Sequence, residues 1–313
     1  MTQPNPTTDY IILAGPTASG KSALALDLAA EIDGVIINAD SMQVYADLHI
    51  LTARPSTADE ALFPHRLYGV IDGAERYSVG HWLRDLHKIV KLVRAQGRWP
   101  IVVGGTGFYL NAAEYGISSI PDIPDAARAE ATGLYAELGW QGCVVKLRRW
   151  DPVIAGRLQP GDKQRLIRAL EVVMHTGKGL SYWQNLPRQG GLTGRALKLA
   201  HIPNRKIVYE LIEKRFEKMA NNGALQEVER LIARGLCADL PVMKALGVSA
   251  LSAYLQGEID KERAVYLACR DTRHYAKRQM TWFRNNFISN YLNNEIYSNK
   301  LGQKIFPKIL ENV

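Results

Sequence analysis

The segment Tyr10–Ile32, "YIILAGPTASGKSALALDLAAEI", decides the fold of this chain of 313 residues. Its first five residues are apolar and rich in β-branched and aromatic side chains, which predicts a buried parallel strand. Residues 22–32 are mostly apolar and precede Gly34, which predicts a helix and its end. Residues 15–22 have the spacing Gly-x-x-x-x-Gly-Lys-Ser of a phosphate-binding loop. The strand before and the helix after distinguish this loop from a glycine-rich turn that matches by chance.

The chemistry of the loop indicates a ligand with two or three phosphates. Glycines let the backbone curl so that successive N–H groups point at phosphate oxygens, and the helix N-terminus adds its positive dipole end. Lys21 brings a full charge, and the Ser22 hydroxyl is a common Mg²⁺ ligand. The motif alone does not decide between ATP and another diphosphate. The predicted phosphate site comprises Gly15, Pro16, Thr17, Ala18, Ser19, Gly20, Lys21 and Ser22, with Mg²⁺ on Ser22.

Strand and helix patterns alternate over residues 1–115, which predicts an α/β core with a parallel sheet. From about residue 116 proline-marked loops and helical periodicity dominate, which indicates a smaller, mostly helical insertion domain over 116–195. Residues 196–313 return to the core with one strand and several helices. The stretch beyond Asn290 is polar, Asn-rich and weakly periodic.

The net charge of +8 is unevenly distributed along the sequence. Residues 1–115 carry a net −3, whereas 116–200 carry +5 and 201–313 carry +6. Basic regions beside a phosphate-loop core favour a polyanionic partner such as RNA, although a solvated basic surface also explains them. No apolar run reaches the length of a membrane helix, the first nine residues lack the pattern of a signal peptide, and the three cysteines are far apart. We therefore expect a cytoplasmic protein that does not enter a membrane.

Two further stretches are expected on the same rim as the phosphate loop. Asp40 and Ser41 follow the second predicted strand, and ligands of open α/β sheets bind beyond the carboxyl ends of the strands. Asp40 then has three possible roles: a helix cap, a Mg²⁺ ligand or a general base. Thr106 follows another strand, in "VGGTGFYL", and either contacts a phosphate or nucleotide or belongs to a tight packing turn.

Two predicted helices are basic. Arg165 and Arg168 share one helical face in the insertion. In the late helix, cations alternate with aromatic residues, a combination that suits single-stranded RNA but also fits an amphipathic helix with a buried aromatic face. The residues concerned are Arg270, Arg273, Lys277, Arg278 and Arg284, with Tyr275, Trp282 and Phe283.

Together these motifs resemble the tRNA dimethylallyltransferases, also called tRNA isopentenyltransferases, in their shorter bacterial form. The resemblance implies a phosphate-loop core with a helical insertion. It also implies transfer of the dimethylallyl group from dimethylallyl diphosphate to the exocyclic N6 amine of adenosine 37, next to the tRNA anticodon, by a monomer. The matching stretches are "GPTASGKS", "INADSMQVY", "ILTARPS", "PHRLYGVID", "YSVGHW", "PIVVGGTGFYL", "DKQRLIRALEV", "IEKRFEKM" and "AKRQMTWFRN".

The resemblance also assigns roles to residues. Catalysis falls to Asp40, Lys21, Ser22 and Arg215, with Arg215 on the diphosphate side. Val248 follows Gly247 where the family usually has Tyr, and Leu211 stands where it often has Arg. The tRNA-binding residues implied are Asp40, Ser41, Met42, Gln43, Thr106, Arg128, Gln164, Arg165, Leu166, Ile167, Arg168, Met243, Lys244, Ala245, Leu246, Gly247, Val248, Lys277, Arg278, Gln279, Met280, Thr281, Trp282, Phe283 and Arg284. A nucleotide-dependent kinase or ATPase acting on or near RNA is the alternative function.

Overall fold

The protein, described over residues 8–313 by a computed structural model, contains one six-stranded sheet within that range. Neighbouring strands all pair in parallel, in the order β3-β2-β4-β1-β5-β6. Residues 1–7, which hold most of the polar N-terminal stretch, lie outside the described residues. The strands are β1 (Tyr10–Ala14), β2 (Gly34–Asn38), β3 (His65–Arg66), β4 (Trp99–Gly104), β5 (Ala196–His201) and β6 (Tyr291–Asn293).

The helices follow one another along the chain, with a short 3-10 turn at Pro241–Lys244. They are α1 (Lys21–Ile32), α2 (Thr57–Leu62), α3 (Val79–Ala95), α4 (Gly107–Tyr115), α5 (Asp125–Trp150), α6 (Pro152–Arg157), α7 (Lys163–Thr176), α8 (Leu180–Asn185), α9 (Arg205–Asn221), α10 (Ala224–Ala233), α11 (Val248–Leu255), α12 (Lys261–Asn286) and α13 (Asn299–Leu310). The fold class is therefore α/β, as the sequence predicted.

The chain divides into two compact units. The core unit comprises the described residues up to Glu114 together with Leu192–Val313, and the insertion unit comprises Tyr115–Gly191. In the insertion unit, α5 to α8 enclose a hydrophobic core of their own. Its longest helix, α5, is interrupted at Gly139, whose φ of 62° only glycine adopts readily.

The centre of the core unit is β1, whose five residues are all buried because strands pair with both of its edges. One face of the sheet is covered by α1, through Leu24 and Leu28, and by α13, through Phe306 and Ile309. The prediction of a weakly periodic end was therefore incomplete, since residues beyond Asn290 form the edge strand β6 and the amphipathic helix α13.

The parallel pairing places the carboxyl ends of β1, β2, β4 and β5 on one rim. The phosphate loop follows β1, Asp40 follows β2 and Thr106 follows β4. Such a rim is where open α/β sheets bind their ligands. Within residues 8–313, no helix has the length and apolar character needed to cross a bilayer.

Candidate active site

The phosphate loop has the curled backbone that its sequence predicts. Gly20 has a φ of +92°, and a Cβ on Gly15 would come within 2.5 Å of the His201 carbonyl oxygen, so both positions need glycine. Among the described residues, no acceptor takes the N–H groups of Gly20, Lys21 and Ser22. These N–H groups, next to the N-terminus of α1, form a binding place for an anion.

Two cations and a carboxylate lie at this loop. The Arg215 guanidinium, from α9, donates to Thr17 Oγ1 at 2.7 Å. Burial lowers the pKa of Lys21 to about 8, an effect that Asp40 opposes and Arg215 strengthens. Burial likewise lowers the pKa of Arg215 to about 10, against the opposing charge of Asp40. The site thus holds more positive than negative charge, as a diphosphate requires.

Asp40 is fixed by the buried side chain of Asn38. Asn38 Oδ1 accepts from Asp40 N at 2.8 Å, and Asn38 Nδ2 donates to the carbonyls of Asp40 and Leu67, each at 3.0 Å. The Trp82 indole donates to the Asn38 carbonyl at 2.8 Å. Asn38 was not among the residues predicted for the site, although its place at the end of β2, two residues before Asp40, was a usable signal.

The carboxylate of Asp40 is half-buried and only partly engaged. Its Oδ1 accepts from Met42 N at 2.9 Å within a turn, and the next helix begins only at Thr57, so this bond is not the helix cap considered as one alternative. Its Oδ2 accepts no hydrogen bond from the described residues and is available to a substrate. The structure also groups no three His, Cys, Asp or Glu side chains as metal ligands within residues 8–313.

Three tyrosines surround Asp40. Burial is the main cause that raises the pKa of Tyr68, Tyr109 and Tyr275, and the charge of Asp40 raises each of them further. Tyr109 also stacks on Trp82, with ring centroids 4.5 Å apart. Tyr109 is buried, whereas Tyr68 and Tyr275 are half-buried, and an accessible aromatic ring is a surface on which a flat base stacks well. Tyr68 and Tyr109 were not among the residues predicted for the site.

Gln279 of α12 ties the phosphate loop to the second glycine-rich strand end. Its Oε1 accepts from Thr17 N and its Nε2 donates to the Gly105 carbonyl, both at 2.9 Å. Next to this link, Thr106 Oγ1 accepts from Ser41 N at 3.0 Å. Gln43 lies further along the same segment, where its amide donates to the backbone carbonyls of Thr52 and Ala53, shortly before α2.

The exposed part of α12 carries cations. Lys277, Arg278, Thr281 and Arg284 are exposed, and Trp282 is half-buried beside Gly107. These residues line two grooves of about 700 and 510 Å³. Positively charged side chains therefore line both grooves, as in proteins that bind a polyanion.

Other residues of the segments expected at the tRNA have buried side chains, and their part in tRNA binding stays a prediction. They pack in hydrophobic cores or, for Gln279, bond to the backbone, so they hold their exposed neighbours in place. These residues are Leu166, Ile167, Ala245, Val248, Gln279, Met280 and Phe283.

The 3-10 turn region is mixed. Lys244 is exposed and pairs with Asp239 at 3.0 Å, whereas Met243 and Leu246 are half-buried. Gly247, with a φ of +90°, is the N-cap residue that precedes α11, and Val248, the first residue of that helix, packs in the core. The position of the missing Tyr thus offers no polar side chain.

In the insertion unit, Arg128, Gln164 and Arg165 are exposed. Arg165 lies 3.7 Å from Asp162, and Arg168 donates to the buried Glu171 at 2.6 Å. Arg128 and Gln164 therefore present polar groups to solvent, while Arg168 is engaged in an ion pair within its own unit.

A parallel sheet with a phosphate loop, two half-buried cations and a carboxylate after a second strand defines a phosphate-loop α/β enzyme. Family models for IPP transferase and isopentenyl transferase match residues 43–286 and 8–71. The tRNA dimethylallyltransferase of Allorhizobium ampelinum is 48% identical over 280 residues, which cover 88% of this chain and 91% of that protein. The chain belongs to the tRNA dimethylallyltransferase family.

Solved structures agree with this assignment. The tRNA isopentenylpyrophosphate transferase of Bacillus halodurans has a TM-score of 0.69 and 30% identity, covering 97% of this chain and 96% of its own. A eukaryotic dimethylallyltransferase acting on tRNA has a TM-score of 0.80 and 25% identity, covering 97% and 79% of the respective chains.

Proposed function

We propose that this chain transfers the dimethylallyl group of dimethylallyl diphosphate to the N6 amine of adenosine 37 in tRNA and releases diphosphate. Family membership supports the reaction. One observation carries the assignment of residues. Asp40 Oδ2 accepts no hydrogen bond from the described residues, and Asp40 lies close enough to Lys21 and Arg215 of the phosphate site for its charge to affect their pKa values. This arrangement puts a proton acceptor next to a site for an anionic leaving group.

Asp40 acts as the general base in this proposal. The adenine amine is a weak nucleophile, but its nitrogen becomes cationic and its proton strongly acidic as the new N–C bond forms. An ionised carboxylate within hydrogen-bonding reach then accepts that proton, so the position of Asp40 relative to the amine decides this role. The hydrogen bonds from Asn38 hold the backbone of Asp40, and those bonds are the support for this role.

The phosphate loop stabilises the leaving group. Negative charge grows on the diphosphate as the allylic C–O bond breaks, and the loop N–H groups, Lys21 and Arg215 are placed to bind that charge. Removing one donor of this kind costs about 3 kcal/mol of transition-state stabilisation. Arg215 also fixes the Thr17 side chain at 2.7 Å, which supports its place on the diphosphate side.

Magnesium fits the same site. Mg²⁺ prefers a few protein oxygens together with phosphate oxygens and water, rather than a full protein cage. The exposed Ser22 hydroxyl has no partner among the described residues and would hold the ion against the diphosphate, whose charge it would neutralise. The lack of a three-residue ligand cluster within residues 8–313 agrees with this mode.

The RNA partner is proposed to be the anticodon arm of tRNA. Exposed cations on α12, among them Lys277 and Arg284, would contact backbone phosphates, and the tyrosines around Asp40 would receive an unstacked base. A loop base is relatively cheap to extract from its stack. We also propose that the protein acts as a monomer, in the cytoplasm, on its tRNA.

Incubation with labelled dimethylallyl diphosphate, Mg²⁺ and an anticodon stem-loop tests the proposal. The matched control is the same stem-loop with guanosine at position 37, which lacks the 6-amine. We expect label in the adenosine stem-loop alone, located at N6 by mass spectrometry of the nucleosides. Phosphate release from ATP without any prenyl incorporation would instead support the kinase or ATPase alternative.

A further inference from the structure

His201, at the end of β5, touches the phosphate loop but has no role in the proposed chemistry. The residue is fully buried, and its Nε2 lies 2.7 Å from the Ser19 carbonyl oxygen. A carbonyl oxygen only accepts hydrogen bonds, so His201 Nε2 must carry a proton and donate it. A donor side chain is thus directed at the backbone of the loop.

The other ring nitrogen has a partner of fixed polarity. Asn293, in β6, lies with its Nδ2 2.8 Å from His201 Nδ1. The orientation of the Asn293 amide follows from its other bonds, because its Oδ1 accepts from Glu295 N at 3.1 Å and its Nδ2 donates to the Glu295 carbonyl at 3.1 Å. Nδ1 of His201 is therefore an acceptor, and the ring is the neutral Nε2–H tautomer.

The surroundings keep the ring in this state and place. Burial lowers the pKa of His201, and the charge of Lys21 lowers it further, against the opposing effect of the Ser19 carbonyl. The Tyr297 ring meets the His201 ring edge-on, with centroids 6.4 Å apart. The Tyr297 hydroxyl also donates to Asp27 of α1, the helix that follows the loop.

We infer that His201 is a positioning residue for the diphosphate: by holding the Ser19 carbonyl it turns the Gly20 N–H into the phosphate site. A trans peptide is planar, so its C=O and N–H point in opposite directions. With the Ser19 oxygen held by His201, the N–H of the same peptide, that of Gly20, points away from His201. That N–H has no acceptor among the described residues, as expected of a group reserved for a ligand.

The inference gives the segment after Asn290 a function beyond packing. Asn293 and Tyr297 come from that segment. They hold the imidazole ring of His201 in place, and His201 in turn holds the Ser19 carbonyl of the loop. Gly20 has a φ of +92° and lacks the side chain that would restrain its backbone. Without the His201 hydrogen bond, the Ser19–Gly20 peptide can rotate and withdraw one donor from the diphosphate.

The inference rests on the proposed function of the loop as a diphosphate site, and binding of inorganic diphosphate with Mg²⁺ tests it without requiring transfer. His201→Leu removes the donor, whereas His201→Gln places an amide donor near the position of Nε2. We expect His201→Leu to weaken diphosphate binding by about tenfold or more, since the released Gly20 N–H would lose its hydrogen bond to the charged diphosphate. His201→Gln should stay within about threefold of the unmodified protein, by the same reasoning.

A structural control separates positioning from loss of stability. Tyr291→Phe removes a hydroxyl of the same segment that donates to the Lys308 carbonyl and accepts from Asn312 Nδ2, with no hydrogen bond to the phosphate loop. It should leave diphosphate affinity unchanged, and tRNA affinity should be unchanged in every variant. Equal diphosphate affinity for His201→Leu and the unmodified protein, or parallel losses of diphosphate and tRNA affinity, would overturn the inference.

A spectroscopic measurement on the unmodified protein covers the case in which His201→Leu does not fold. Nitrogen-15 NMR of histidine-labelled protein, with the signal assigned by His201→Gln, should show a neutral Nε2–H ring at pH 7. An imidazolium or an Nδ1–H tautomer would overturn the inference. Diphosphate binding without prenyl transfer would count against the proposed function alone, whereas no diphosphate binding by the unmodified protein would overturn both.

Discussion

Replacing Gln279 by Leu tests whether the link between α12 and the phosphate loop is as tight as the structure shows. Gln279 is only 6% exposed, and its amide satisfies both Thr17 N–H and the Gly105 carbonyl at 2.9 Å. Leucine fills similar space and keeps the helix, but it leaves two backbone groups without their partner. Each unsatisfied group costs about 1–3 kcal/mol, so the loss is about 2–6 kcal/mol.

That loss is measurable as a melting temperature. For a unit of this size, 1 kcal/mol shifts Tm by about 2–4 °C, so Gln279→Leu should lower Tm by roughly 5–20 °C. Dimethylallyl diphosphate should also bind more weakly, because the Thr17 N–H loses the hydrogen bond that holds the loop backbone. Scanning calorimetry with and without diphosphate measures both effects.

His274→Leu is the matched control for this variant. His274 is exposed on the same helix, so its replacement should change stability by no more than about 0.5 kcal/mol. If Gln279→Leu had the same Tm as the control, other groups or water would satisfy the Thr17 N–H and the Gly105 carbonyl, and the reasoning would be refuted.

Two other perturbations probe the loop and the segment after Asp40. Lys21 has a pKa of about 8 in the free protein and must be charged to hold a diphosphate, so donor affinity should fall as pH rises through about 8. The cation of Lys21→Arg does not titrate in this range, so the KM of that variant for dimethylallyl diphosphate should stay level from pH 7 to 9. An equal loss of affinity for dimethylallyl diphosphate in both proteins would contradict this assignment. Glu227→Gln should lower the free energy of unfolding by about 2–3 kcal/mol, since the buried carboxylate accepts three backbone N–H groups at residues 49–51 and an amide accepts fewer. Unchanged denaturant unfolding of Glu227→Gln, with exposed Glu229→Gln as the control, would rule that out.

The fold was predictable where short-range pattern and chemistry coincide. The apolar run at residues 10–14, the glycines of the loop and the periodicity of α3 each specify their own element. Residues beyond Asn290 failed this test, because polar asparagines mask apolar positions such as Phe306 and Ile309 whose partners are distant in sequence. Their helix depends on packing against α1, which no local pattern reveals.

The site was predictable in its charges and less so in its supports. Lys21, Asp40 and Arg215 follow from motifs, and the structure brings them together. Asn38 and His201 are positioned by strand ends and bond to backbone groups, so their importance depends on three-dimensional neighbours. The buried residues of α12 show a further limit of motifs, since a motif spans both faces of a helix and only one face reaches solvent.

The most direct test of the central claim is prenyl transfer by Asp40→Asn. This variant keeps the size of the side chain and the acceptor for Met42 N–H, but the amide is a far weaker base than the carboxylate. We predict that the single-turnover rate of dimethylallyl transfer to tRNA falls by about 10²–10⁴-fold, while the affinities for tRNA and for the donor stay within about twofold. A transfer rate close to that of the unmodified protein would contradict the role of Asp40 as the base, and a joint loss of rate and tRNA affinity would assign Asp40 a structural role instead.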